Sequence, residues 1–267
     1  KGWGVVEGDH LRDMSAVFPE MPTIRAMLEQ NGLPKVLDAI AAAPLLPMIA
    51  VKLLPVIPEP SKILCVGLNY LEHREETKNP EVKHPTLFVR FANALSAQGM
   101  PIEHPAETTK LDYEAELAVI IGRGGRGISK ANAMKHVAGF ACANDVSVRD
   151  WQRHTSQMTA GKNWPTTGPL GPWMVTRDEI DDLAPLSIKC RLNGKTMQDA
   201  KLGDMIFDVP HLIEYISTFT ELVPGDVIFT GTPGGVGSRR EPPVYLKPGD
   251  RVEVAIEKIG VLANPVV

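Results

Sequence analysis

Apolar residues along this chain recur mostly as short alternating blocks or unbroken runs, and only seldom at helical spacing. Two alternating blocks, 3–6 and 10–14, flank Glu7-Gly8-Asp9, which predicts two strands around a turn. Helical spacing governs 23–30 and 34–43, with Gly32 between them and Pro34 opening the second. Residues 50–57 read as extended. The stretch Val56-Ile57-Pro58-Glu59-Pro60-Ser61 follows neither period and reads as a linker, so a small N-terminal domain over 1–58 and a larger one over 59–267 are expected. In the larger part, strands are predicted at 63–66, 85–90, 117–121, 137–144, 187–192, 227–231 and 251–256, and a helix at 209–218. The Gly- and Pro-rich stretch 161–172 reads as a turning loop. Strands outnumber helices and do not alternate with them, which predicts an α+β, mostly β fold rather than a doubly wound sheet.

Composition removes several function classes. The chain has 267 residues and a formal charge of −4, without a Lys/Arg run, so nucleic acid is not an expected partner. The longest apolar run, 41–56, is cut by Pro44, Pro47 and Pro55 and holds Lys52, which is too broken for a membrane span. Cys65, Cys142 and Cys190 are scattered and odd in number, so buried thiols in a reducing cytoplasm are expected. No signal-peptide pattern is seen. The chain opens at Lys1 directly on a strand-like segment, as if a few leading residues were missing.

The candidate chemistry is acidic. Glu114 and Glu116 are two apart before the apolar run 117–121, so on a strand they share a face with Ala118 and Ile120. Two like charges on a partly apolar face need a cation beside them. Asp145 follows the run 137–142, where a strand should end, and makes a third carboxylate. Three carboxylates form a hard oxygen site suited to Mg²⁺ or Mn²⁺, with Ca²⁺ also accommodated. A Glu-x-Glu pair on an exposed edge is the plainer alternative. His73 and Glu76, three apart, would face the same way on a helical turn as a general base and its orienting acid, or else lie on a charged surface turn. Lys162, between Gly161 and Asn163, could stabilise an enolate. Arg149 and Gln152, also three apart, could bind a substrate carboxylate and carbonyl, and Arg90, Arg149 and Arg153 are candidates for a second carboxylate. The glycines of 231–237 permit close approach of backbone to a ligand. Gly122-x-Gly124-x-x-Gly127 formally matches a dinucleotide fingerprint, with Asp145 near the distance of a ribose-binding acid, though a surface hairpin explains it equally well.

Taken together, Gly67-Leu68-Asn69-Tyr70-x-x-His73, Asp112-Tyr113-Glu114-x-Glu116-Leu117, Asn144-Asp145-Val146-Ser147-x-Arg149-Asp150-x-Gln152, Gly161-Lys162, Gly168-Pro169-x-Gly171-Pro172 and the segment from Gly225-Asp226 to Gly237 resemble the fumarylacetoacetate hydrolase family. The resemblance implies a mixed β-roll or sandwich catalytic domain behind a small N-terminal domain, usually as a homodimer. It implies Mg²⁺ or Mn²⁺ on Glu114, Glu116 and Asp145, a His73–Glu76 dyad on a closing lid, and substrate contacts from Lys162, Gln152 and Thr232. Asn163-Trp164-Pro165 stands where relatives often have Ser-Phe-Asp, and Arg90 where many have Lys-Pro, so substrate identity does not carry over. The expected reaction is hydrolytic C–C cleavage of a 2,4-dioxo acid such as fumarylpyruvate, within aromatic catabolism. The same chelated 2-oxo acid equally serves an oxaloacetate-type decarboxylase, or an isomerase or hydratase of unsaturated 2-oxo diacids.

Overall fold

A computed structural model describes residues 1–78 and 83–267. The N-terminal part holds β1 (Gly4–Glu7), β2 (His10–Asp13), α1 (Ile24–Glu29), α2 (Leu33–Ala39) and β3 (Leu45–Pro47). Next come β4 (Ile63–Gly67), α3 (Leu71–Glu76), β5 (Thr86–Arg90), β6 (Leu95–Ser96), β7 (Leu111–Asp112), β8 (Ala115–Ile121) and β9 (Val137–Asn144). The chain continues through β10 (Ser147–Val148), α4 (Arg149–Gln152), α5 (Thr159–Lys162), β11 (Gly168–Thr176), β12 (Ser187–Leu192) and β13 (Lys195–Lys201). It closes with α6 (Val209–Phe219), β14 (Val227–Phe229), β15 (Arg251–Ile256) and β16 (Gly260–Pro265). The fold is α+β and mostly β.

Among these residues a seven-stranded mixed sheet runs β5-β4-β14-β8-β9-β11-β6, and a four-stranded sheet runs β13-β12-β15-β16. The central strand β8 is buried along its whole length because both its faces are covered. Leu117, Val119 and Ile121 enter one core with Ile188, Cys190, Val252 and Val254 of the smaller sheet and Leu212 and Ile216 of α6. Ala118 and Ile120 enter a second core with Phe229 and with Trp3, Met14, Met27 and Val36 of the N-terminal part. A register shift between Ile120 and Ile121 puts Val137 and Phe140 of β9, three apart, in the same core. The Thr23 side chain caps α1 by accepting from Ala26, and Asp208 caps α6 by accepting from His211.

The sequence expectations hold for the first hairpin, α1, α2, α6 and the main central strands. Residues 50–57 form no strand, and the third strand of the N-terminal sheet is Leu45–Pro47 instead. The stretch 161–172 is more than a turn, because its second half begins β11. Its pairing to β9 runs through Leu170 and Gly171, then resumes at Val175. Pro172, which has no N–H to donate, lies in the interruption. The edge strands β13 and β16 escape sequence reading because one is largely polar and the other lacks alternation and ends in Asn-Pro. Gly122 to Gly127 follows β8, but the next element is a short 3₁₀ segment, Lys130–His136, so the dinucleotide fingerprint lacks its helix.

Asn69, fully buried, ties three segments together. Its Nδ2 donates to the carbonyls of Thr230 (2.7 Å) and Phe207 (3.0 Å), and its Oδ1 accepts from the Phe207 amide (2.8 Å). Asn69→Ala leaves these backbone groups unpaired and is expected to cost about 2–4 kcal/mol. Urea denaturation should show a lower midpoint with unchanged slope. A loss within about 0.5 kcal/mol, as for an ordinary surface change, would contradict this role.

Candidate metal centre and active site

The antiparallel register of β8 and β9 brings the three carboxylates together. Ala115 pairs with Asn144 and Glu116 with Ala143, and the Asp145 amide donates to the Glu114 carbonyl at 2.9 Å. Asn144 Oδ1 accepts from the Glu114 amide at 3.0 Å, fixing the residue just ahead of β8. As a result one ligand oxygen each from Glu114, Glu116 and Asp145 lies within 4.8 Å of the others, and all three side chains are buried.

Cations hold this cluster. Lys162 at the end of α5 is buried and its Nζ donates to Glu114 Oε2 (2.7 Å) and Asp145 Oδ2 (2.6 Å). Arg90 at the end of β5 donates through Nε and Nη2 to Asp145 Oδ1, and through Nη1 to Thr167 Oγ1 at 2.9 Å. Arg149 opens α4 and donates to Asp112 Oδ2 (2.8 Å), Glu114 Oε1 (2.7 Å) and Gln152 Oε1 (3.1 Å). Asp112 in turn accepts from the amides of Gly237 and Ser238. Glu116 differs from its neighbours. Its Oε2 accepts from the Gly231 amide at 2.8 Å, but among the described residues no cationic side chain pairs with it. Gly231 has φ +98°, and a Cβ there would lie 2.7 Å from Asn69 Cβ, so only glycine suits this amide donor.

The charge balance fits a divalent cation. Four buried carboxylates, Asp112, Glu114, Glu116 and Asp145, face three buried cations, Arg90, Arg149 and Lys162. The formal surplus falls on Glu116, whose carboxyl is pushed well up by burial, then by Asp145 and Glu114, so its proton is the one an incoming cation would displace. Burial also pushes Glu114 upward, but Lys162, Arg149 and His73 outweigh it and hold the carboxyl down at about 2. An all-carboxylate donor set with surplus negative charge suits Mg²⁺ or Mn²⁺ held by Glu114, Glu116 and Asp145.

A cavity of about 420 Å³ opens onto this cluster and is lined by Glu114, Glu116, His73, Lys162, Gln152 and Thr232, together with Arg149. His73 Nδ1 lies 2.7 Å from Glu76 Oε1, and Glu76 Oε2 accepts from the Gly235 amide at 3.0 Å. With Nδ1 bonded to a carboxylate, Nε2 is the open ring nitrogen. Thr232 Oγ1 accepts from Gln198 Nε2 at 2.8 Å, which leaves the hydroxyl proton free to be donated. Arg90 does not line the cavity. It lies beneath, spent on Asp145, so the position expected to contact substrate instead supports a carboxylate.

Sequence reasoning left Gln198 and Asp112 without a role. Gln198 accepts from the Ala115 amide and donates to Thr232 and Pro233, bracing the start of β8 against the glycine loop. It stands in a polar edge strand, where no local pattern marks it. Asp112 lies within the matched motif, but only the fold shows that it anchors Arg149.

This mixed-sheet fold gathers three buried carboxylates, a His–Glu pair and a buried lysine at one end of the sheet, the kind of side-chain set that enzymes use. The model for the fumarylacetoacetate (FAA) hydrolase C-terminal domain matches residues 62–267, and the chain belongs to this family. It is 44% identical over 266 residues to oxaloacetate tautomerase FAHD2A, mitochondrial, of Bos taurus, covering 97% of this chain and 85% of that one. The Homo sapiens protein of that name is 42% identical with the same coverage. A crystal structure of a putative HpcE protein from Mycobacterium smegmatis superposes with a TM-score of 0.90 at 33% identity, covering 99% of this chain and 95% of that one. Maleylpyruvate hydrolase from Sphingobium sp. SYK-6, in complex with manganese(II) and pyruvate, superposes with a TM-score of 0.82 at 31% identity, over 99% of this chain and 95% of that one.

The two buried glutamates give opposite pH dependences. Glu116 titrates higher folded than unfolded, so its contribution is full below the ordinary value of 4.5 and is lost as pH rises through its raised folded value. Glu114 titrates lower, so its contribution is present above 4.5 and is lost as pH falls toward about 2. Metal-free protein is therefore expected to lose thermal stability as pH rises above the ordinary glutamate range, and Glu116→Gln should flatten that loss. A melting curve series with chelator present checks this, and identical slopes for both proteins would contradict the assignment.

Proposed function

We propose that this protein catalyses the keto–enol tautomerisation of oxaloacetate, using a divalent cation held by Glu114, Glu116 and Asp145. The observation that carries this reading is His73, held by Glu76, lining the same cavity as Glu114 and Glu116, with Lys162 bonded to Glu114 and Asp145. The relatives named as oxaloacetate tautomerases, 40–44% identical over nearly all of the chain, support it further. A bound Mg²⁺ or Mn²⁺ would supply Lewis acidity and a template for the 2-oxo acid.

The chain's own residues do the rest. His73 Nε2 takes a proton from C3 of the keto acid while Glu76 holds Nδ1–H and balances the imidazolium. The electron pair of the broken C–H bond becomes the C2–C3 double bond, and the negative charge moves to the C2 oxygen. Lys162, kept cationic by Asp145 and Glu114 despite its burial, lowers the energy of that charge. The proton on His73 then passes to the C2 oxygen, so no atom is gained or lost. Gln152 and the Thr232 hydroxyl orient the substrate by hydrogen bonds.

Hydrolytic cleavage of a 2,4-dioxo acid is the second reading. The same base would activate water, and the cavity of about 420 Å³ leaves room for a substrate longer than oxaloacetate. The similarity to a maleylpyruvate hydrolase supports it. Oxaloacetate decarboxylation draws on the same enolate. A homodimer is proposed on the family resemblance, and the three buried, free cysteines support a reducing compartment, cytoplasmic or organellar.

Decay of the enol absorbance of oxaloacetate, followed with Mg²⁺ present and with pyruvate assayed in parallel, separates the readings. His73→Ala is expected to lower the tautomerisation kcat by about two to four orders of magnitude. An unchanged rate in the variant, or pyruvate release faster than tautomerisation, would count against the proposal.

A further inference from the structure

Three arginines line the cavity, and they are not equally occupied. Arg149 spends Nε and Nη1 on Asp112, Glu114 and Gln152, while among the described residues its buried Nη2 has no partner. Arg153 follows α4 directly and Arg239 follows the glycine loop after β14, so separate segments bring them to the same rim. Both are exposed, and among the described residues neither side chain makes a hydrogen bond or ion pair. Partial burial, then the like charges of Arg239 and Arg149, push the Arg153 guanidinium down, so the three charges feel one another. Asp112 opposes that repulsion, but its oxygens already accept from Arg149 and the amides of Gly237 and Ser238. The cavity therefore carries an uncompensated positive rim beside its carboxylate floor.

We infer that Arg153 and Arg239, with Arg149 Nη2 behind them, bind the second carboxylate of a 2-oxo dicarboxylic acid and so select dicarboxylates over monocarboxylates. This rests on the proposed 2-oxo acid chemistry and adds the residues that read the second carboxylate of such a substrate. A distal carboxylate is repelled by Glu114 and Glu116, so the arginine rim is the part of the lining with charge to spare for it. Arg90 is excluded because Asp145, Thr167 and the Val146 carbonyl consume its donors. Thr155, Ser156 and Ser238 line the same cavity and supply hydroxyls for the remaining lone pairs. Arg153 and Arg239 are thus specificity residues and take no part in proton transfer.

Calorimetric binding of pyruvate and 2-oxoglutarate to the Mg²⁺-loaded full chain tests this, since the two differ in having a distal carboxylate. The wild-type protein should prefer 2-oxoglutarate by on the order of ten- to a hundredfold, the range expected for two charge-assisted pairs. That preference should shrink with added salt because the rim is exposed. The double variant Arg153→Gln, Arg239→Gln should bring the ratio of affinities close to unity. Proportional loss for both ligands, or an unchanged ratio, would overturn the inference while leaving the 2-oxo acid reading intact. Failure of both ligands to bind the wild-type protein would overturn that reading and the inference with it.

Discussion

The site depends on a buried electrostatic balance that is left one positive charge short. Carboxylates taken out of water at the mouth of a sheet repel one another and lose hydration, and they persist only if cations are built in beside them. Here Arg90, Arg149 and Lys162 arrive from three different elements to meet Asp145, Asp112 and Glu114. Among the described residues Glu116 is left with a backbone amide alone. Complete neutralisation would leave no pull on an incoming ion, and none at all would unfold the sheet end. The intermediate state suits the divalent cation proposed for it.

The scaffold explains why this balance can be held. β8 is buried on both faces, so its register cannot slip without moving every apolar side chain to the wrong core. That register places Glu114 beside Asp145 and turns Glu116 onto the face it shares with Ala118 and Ile120. Gly231 closes the arrangement from β14, where a side chain would collide with Asn69. The His73–Glu76 pair is carried on a helix of six residues rather than on the sheet, with Glu76 pinned by the Gly235 amide. Precision thus resides in the sheet and the glycine loop, while the proposed proton-transfer group sits on a lighter element.

Much of this was legible in the sequence, and the illegible parts share a cause. The period-two pairing of Glu114 and Glu116, the strand-end position of Asp145 and the three-residue spacing of His73 and Glu76 are local signals, and the structure brings the three carboxylates together and places His73, held by Glu76, in the cavity beside them. Arg90 was legible as a charged residue near the site, but its direction was not, because only tertiary packing decides whether a strand-end arginine faces a cavity or a buried aspartate. Gln198 and Arg239 lie far along the chain from the motifs they serve, in a polar edge strand and after a glycine loop. The strand β11 was hidden by its own prolines, of which Pro172 sits where the ladder is interrupted.

The central claim is that Glu114, Glu116 and Asp145 converge on one hard cation. The most direct measurement is an electron paramagnetic resonance titration of chelator-stripped protein with Mn²⁺. One ion should be taken up per chain, with uptake lost in Glu116→Gln and in Asp145→Asn variants that remain folded. Free Mn²⁺ signal persisting from the first addition to wild-type protein, or both variants binding as the wild type does, would contradict it.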